Sequence, residues 1–251
     1  MIQNLIVLLF GLCTQENLQI LLIVFAGGII RGYTGFGSGL VMVPLFSLMW
    51  SPIDAVATTC GLGLFAASQL AFSSARHTKW RLVSPMIIAL LCVTPFGTYF
   101  LVSLDAVLVK KVIACLVLFL TVISLRGWTY TGPQGVFASF IAGSLGAFIN
   151  GLAAVGGPVV VLYFLSLPDK VKVQRSNIAT IASLMGVAVF SFTFLSGFVS
   201  SNVWWRILLF ALPYMMATWF GIYLFKLLPG TAFKLIVLYV LVAISLAVLL
   251  A

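Results

Sequence analysis

The stretch GGIIRGYTGFGSG (27–39) sets six glycines around one arginine, with apolar runs on both sides. Glycine costs about 1 kcal/mol relative to alanine inside a helix. A charge at the centre of a bilayer costs about 3 kcal/mol on insertion scales. A helix-weakening cluster around a permanent cation predicts a break in a membrane helix, with the cation kept there to meet an anion.

The rest of the chain supplies the membrane context. It has 251 residues, of which 63% are hydrophobic and only 7% charged, with a mean hydropathy of +1.26. These values lie outside the range of soluble globular domains. Apolar segments recur from end to end, and no polar stretch is long enough for a soluble domain. The expectation is an all-α polytopic membrane protein, one transport domain over 1–251. The net charge of +9 comes from Lys and Arg scattered over short loops, which points to cytoplasmic loops and anionic lipid, with no nucleic acid as partner. Cys13, Cys60, Cys92 and Cys115 lie in apolar surroundings without CxxC spacing, so they are expected to pack. The opening MIQNLIVLLFGLC lacks both a basic lead and a small-residue cleavage site, which predicts an apolar or interfacial lead-in over a removed signal.

Apolar segments fall near 18–31, 36–50, 54–75, 82–102 and 107–126, and again near 135–150, 155–167, 176–198, 204–225 and 231–250. The two sets correspond. TPFGTYFL (94–101) matches TWFGIYLF (218–225), Lys110 then falls opposite Lys234, and Arg81 matches Arg206 at nearly that offset. RGYTGFGSG (31–39) lies over NGLAAVGGP (150–158). The reading is a duplication, with repeat 1 over about 17–126 and repeat 2 over about 135–251.

Orientation follows from length and charge. At about 1.5 Å per residue, the run 18–50 is too long for one crossing of a core about 30 Å thick. Its glycines, like those of 135–167, sit mid-run, so each run is expected to turn back as a re-entrant hairpin or two crossings. Three ordinary helices then follow in each half. The odd total inverts one half relative to the other. Arg76, Lys79 and Arg81 place one loop inside by the positive-inside rule, and the turned-back second run brings Lys170, Lys172 and Arg175 inside too. Lys110 and Lys111 run mildly against this count.

Irregular backbone at membrane depth needs protein or water to satisfy its polar groups. Two breaks related by a pseudo-twofold axis would meet near the bilayer centre, with helix N-termini facing an anion. Gly35, Gly37, Gly39, Gly156 and Gly157 permit close backbone approach, and Thr34 and Ser38 offer hydroxyls. The planar fork of Arg31 suits an oxyanion, although capping of the first half-helix and snorkelling to an interface are its alternatives. Its repeat partner, Asn150, is neutral, so the two breaks share one full positive charge. Thr58 and Thr59 match Ser176 and Asn177 at the start of the following helices, with Arg175 beside the second pair. These are candidate cavity residues, or else helix caps and interhelical ties.

Glu16, Asp54, Asp105, Asp169 and His77 all fall near loops. No proton relay, metal site or catalytic triad is assembled from them, so neither an enzyme nor a cofactor is expected.

The pattern GxxRGxxGFGSGLVMVPL (28–45) followed by DAVATTC, and GLAAVGGPVVVLYFL (151–165) followed by RSNIAT, resembles the TauE/SafE family of membrane transporters over essentially the whole chain. Ala154 stands where the first repeat has Gly35, and Tyr163 where it has Pro44. The resemblance implies transport of sulfite, a sulfonate or sulfoacetate across a plasma membrane of bacterial type, an inner membrane in a bacterium. The expected partners are thus a small anionic substrate and the bilayer, with a homodimer left open. Alternating access in a secondary carrier is the leading expectation. An anion channel and a non-transporting assembly subunit are the alternatives.

Overall fold

The structure, a computed structural model, describes residues 15–128, 130–227 and 242. Among these, nine helices follow in order: α1 (Gln15–Thr34), α2 (Ser38–Met49), α3 (Pro52–Ala75), α4 (Trp80–Ser103), α5 (Ala106–Leu125), α6 (Val136–Ala153), α7 (Gly157–Leu165), α8 (Val171–Leu195) and α9 (Asn202–Leu227). Seven of them are long and apolar enough to cross a membrane, and the chain is a multi-pass membrane protein. The expected segment 231–250, Lys234 within it, and the apolar lead-in with Cys13 lie outside the described residues.

Local chemistry explains the helix ends. Ser51 accepts the Asp54 N–H at 3.2 Å ahead of Pro52. Asp105 accepts from Val107 and Leu108 to start α5. These side chains satisfy N–H groups that have no partner within their own helix. α8 begins at Val171, before the expected 176. Nothing in VKVQR breaks a helix, so Lys172 and Arg175 belong to its first turns.

Each glycine-rich run forms a hairpin. In the first, a Cβ on Gly27 would meet Met42; in the second, one on Gly146 would meet Val160. The returning arms have 12 and 9 residues, about 18 and 14 Å at 1.5 Å per residue, too short to cross the core.

Small residues set the helix pairing. α1 lies parallel to α9, with Gly28 beside Tyr214 and Ala217, and Gly32 beside Thr218 and Ile222. α6 lies parallel to α4, with Gly143 beside Met86 and Gly151 beside Thr94 and Thr98. In the sequence correspondence Gly32 aligns with Gly151 and Gly97 with Gly221, so the crossing Gly32–Gly221 has its counterpart in Gly151–Gly97. α3 and α8 pack on each other antiparallel. Asp54, at one end of α3, accepts the N–H of Ser200 at 3.0 Å, beyond the far end of α8. At the other end, Thr78 meets Thr180 at 2.8 Å and the Lys79 N–H donates to Asn177 Oδ1 at 2.8 Å.

Charge sorts by end. Lys79 pairs with Asp169, and Gln134 donates to the Ser166 carbonyl. The loops carrying Arg76, Lys79, Arg126 and Lys170 therefore share one end. Asp54 lies at the other, paired with Arg206 at 3.6 Å. Both basic loops fall at the Lys79–Asp169 end.

Candidate functional site

Both breaks close in the same way. The Gly35 N–H donates to the Arg31 carbonyl at 2.8 Å, and the Ala154 N–H donates to the Asn150 carbonyl at 2.7 Å. Gly35 has φ +85° and Ala154 φ +52°, so each helix ends in a left-handed residue that bonds back one turn. The alanine in place of glycine leaves this geometry unchanged.

The breaks also touch. A Cβ on Gly39 would run into the Ala154 carbonyl, and one on Gly157 into the Phe36 ring. Between them lies a cavity of about 40 Å³, lined by Arg31, Gly37, Ser38 and Gly39 from the first hairpin, Asn150, Ala154 and Gly157 from the second, Thr59, Cys60 and Gly63 of α3, and Ala182, Met185 and Gly186 of α8. The N-terminal turns of α2 and α7 border it, bringing their positive dipole ends.

Arg31 is 6% exposed. Its Nη2 donates to Ser183 Oγ at 3.1 Å, and Ser183 in turn donates to the Ala179 carbonyl at 2.7 Å. Arg31 Nε is buried without a hydrogen-bond partner. No carboxylate faces it, although all four acids of the chain are among the described residues. Asp54 pairs with Arg206 and Asp169 with Lys79, Asp105 caps α5, and Glu16 is exposed in the first turn of α1. Ser183 is the thirteenth of the 25 residues of α8, so the guanidinium is anchored halfway along a spanning helix. The Thr59 hydroxyl of the cavity wall also lacks a partner among the described residues, while the fully buried Tyr214 faces Ser38 and Arg31.

The remaining candidates have other surroundings. Thr34 accepts the Phe36 N–H at 3.2 Å, and its own hydroxyl lies 2.8 Å from the Ile30 carbonyl and 2.6 Å from that of Phe36. It shapes the turn. Gly35 faces Ala179, and Gly156 donates its N–H to Asn150 Oδ1 at 3.2 Å. The Thr58 hydroxyl is buried with no partner. Ser176 bonds to the Lys172 carbonyl, and Asn177 fastens the 76–79 loop. Arg175 donates to the carbonyls of Gly32 at 2.7 Å and Tyr33 at 3.4 Å, and stacks on Phe225. The cap on the first half-helix is thus Arg175, which leaves Arg31 free for the cavity. Arg175 lines a second, larger cavity of about 330 Å³ that includes Gly127 and Trp128 and shares Phe36 and Gly37 with the central one. Of the described cysteines, Cys60 packs in the core while Cys92 and Cys115 face outward as free thiols.

Cys60, Gly63 and Gly186 line the cavity and Ser183 holds Arg31 beside it, and the glycine motifs include none of them. Their signal was a small-residue face, Ala179, Ala182, Ser183 and Gly186 on α8 and Thr59, Cys60 and Gly63 on α3, at the i, i+3, i+4 spacing by which membrane helices pack closely.

Comparison with known proteins gives the same family by another route. The profile described as "Sulfite exporter TauE/SafE" matches residues 20–248. Searches of curated proteins and of solved structures returned no match. The chain belongs to the TauE/SafE sulfite exporter family, a family of membrane transporters.

Proposed function

We propose that this protein is a secondary carrier for a small sulfur-containing oxyanion, sulfite or the sulfonate head of a compound such as sulfoacetate, bound at mid-depth between two inverted repeats and moved by alternating access. The observation that carries the proposal is Arg31: a buried guanidinium with a free Nε–H, no carboxylate partner, and a cavity of about 40 Å³ beside it. A buried charge with no partner is costly. An oxyanion accepting two of its N–H groups would offset that cost with charge-assisted bonds. The N-termini of α2 and α7 add donors for the remaining oxygens.

Size supports a small ligand. A water needs about 10–15 Å³ of such space, so the cavity suits a head of a few atoms and excludes a nucleotide. The antiparallel α3–α8 pair and the paired glycine crossings support inversion of the halves. A site of only about 40 Å³ favours a carrier over an open pore.

The test is sulfite binding to purified protein, read as thermal stabilisation, since a ligand stabilises the state that binds it. Arg31→Ala should stay folded and monodisperse and lose that stabilisation. Unchanged stabilisation would remove Arg31 from the site.

A further inference from the structure

We infer, building on the site just proposed, that the carrier changes orientation only with an anion aboard, in both directions, and so works as an anion-for-anion exchanger. The side chains around Arg31 from the elements packed on it are all neutral: Ser38 on α2, Thr59 and Cys60 on α3, Asn150 on α6, Ser183 on α8 and Tyr214 on α9. Every carboxylate of the chain is bound or exposed elsewhere, and the single histidine, His77, lies in the loop after α3. A guanidinium does not shed its proton. Thus, among the described residues, no carboxylate or imidazole stands beside the guanidinium to take the anion's place, and the ionisable groups next to it are a thiol, Cys60, and a phenol, Tyr214, both weak acids.

Passing between two open orientations requires an occluded intermediate in which both sides close over the site. With a monovalent anion bound, hydrogen sulfite or a sulfonate head, that intermediate encloses a neutral pair. Without one, it encloses a bare cation in a low-dielectric interior, where burial of an isolated charge is strongly disfavoured. The empty return is therefore the slow step, and a counter-anion removes it. Exchange between two monovalent anions moves no net charge, so a membrane potential has little hold on it.

The test uses the purified full chain in liposomes and measures initial uptake of radiolabelled sulfite. One set of vesicles holds unlabelled sulfite, the other gluconate. Uptake into sulfite-loaded vesicles should be at least tenfold faster, and a potassium–valinomycin potential should change it less than twofold. Asn150→Asp places a carboxylate on the cavity wall while keeping an acceptor for the Gly156 N–H; it should narrow the difference between the two lumens. Equal uptake into both lumens by wild-type protein overturns exchange while leaving the anion site standing. No uptake into either, with no thermal stabilisation by sulfite, overturns the site and the exchange together.

Discussion

Arg31 and Ser183 are 152 positions apart in sequence and 3.1 Å apart in space. The bond joins the end of the first hairpin to the middle of α8, across the two halves. Because Ser183 gives its own proton to the Ala179 carbonyl, its oxygen is committed to receiving from Arg31. The fork is held at one corner while Nε remains available.

Removing that corner should loosen the guanidinium without removing its charge. Ser183→Ala leaves a buried donor unmatched, at about 1–3 kcal/mol, and sulfite affinity should fall about tenfold, which corresponds to about 1.4 kcal/mol. Arg31→Lys keeps the charge but replaces the planar fork with a point donor, and should bind sulfite weakly while remaining folded. Affinities of both variants near wild type would show that the orientation of the fork is irrelevant.

Glycine substitutions should separate packing from cavity. At Gly32 and Gly221 a Cβ would collide with backbone of the facing helix, so alanine at either should destabilise by about 1–3 kcal/mol. Gly63 and Gly186 line the cavity, yet a Cβ on either meets nothing within 4 Å. Alanine there should leave melting unchanged or raise it, since it favours the helix by about 0.5–1 kcal/mol, while sulfite transport falls. Loss of fold in Gly63→Ala, or full transport in both cavity variants, would contradict this placement.

The two breaks should respond oppositely to the same exchange of residue types. Gly35→Ala forces a side chain into a left-handed conformation and against Ala179 Cβ at 3.2 Å, at a cost of about 1–2 kcal/mol. Ala154→Gly removes that strain from the second break and should be neutral or mildly stabilising. Thermal melts of the two variants moving in the same direction would argue against equivalent turns.

Topology admits a direct check. Lys170 lies at the end where Lys79 meets Asp169, and Ser200 at the end where it meets Asp54. Cysteines engineered at 170 and 200, in a background without Cys92 and Cys115, should label from opposite sides of the membrane, with 170 on the cytoplasmic side. Labelling of both from one side would rule out the arrangement of α8 as a crossing.

Sequence by itself determined what depends on neighbours along the chain. Hydropathy marked the spans, because every backbone group in lipid must bond within its own helix. The glycines at 35 and 37 marked a break, because only they adopt positive φ freely. The matched motifs set Arg31 against Asn150 and Gly35 against Ala154, and the turns at these positions close alike. Tertiary structure decided what depends on groups far apart in sequence. The reading of the chain put Arg31 in the first break and Arg175 beside Ser176 and Asn177, far along the sequence. The fold gave Arg175 the helix end and left Arg31 to the cavity, since only the packing of α8 on α1 fixes which guanidinium reaches which carbonyl. Ser183, an ordinary hydroxyl in an apolar helix, became the partner of Arg31 for the same reason. Helical periodicity puts a residue on a face, and the approach of another helix determines what that face meets.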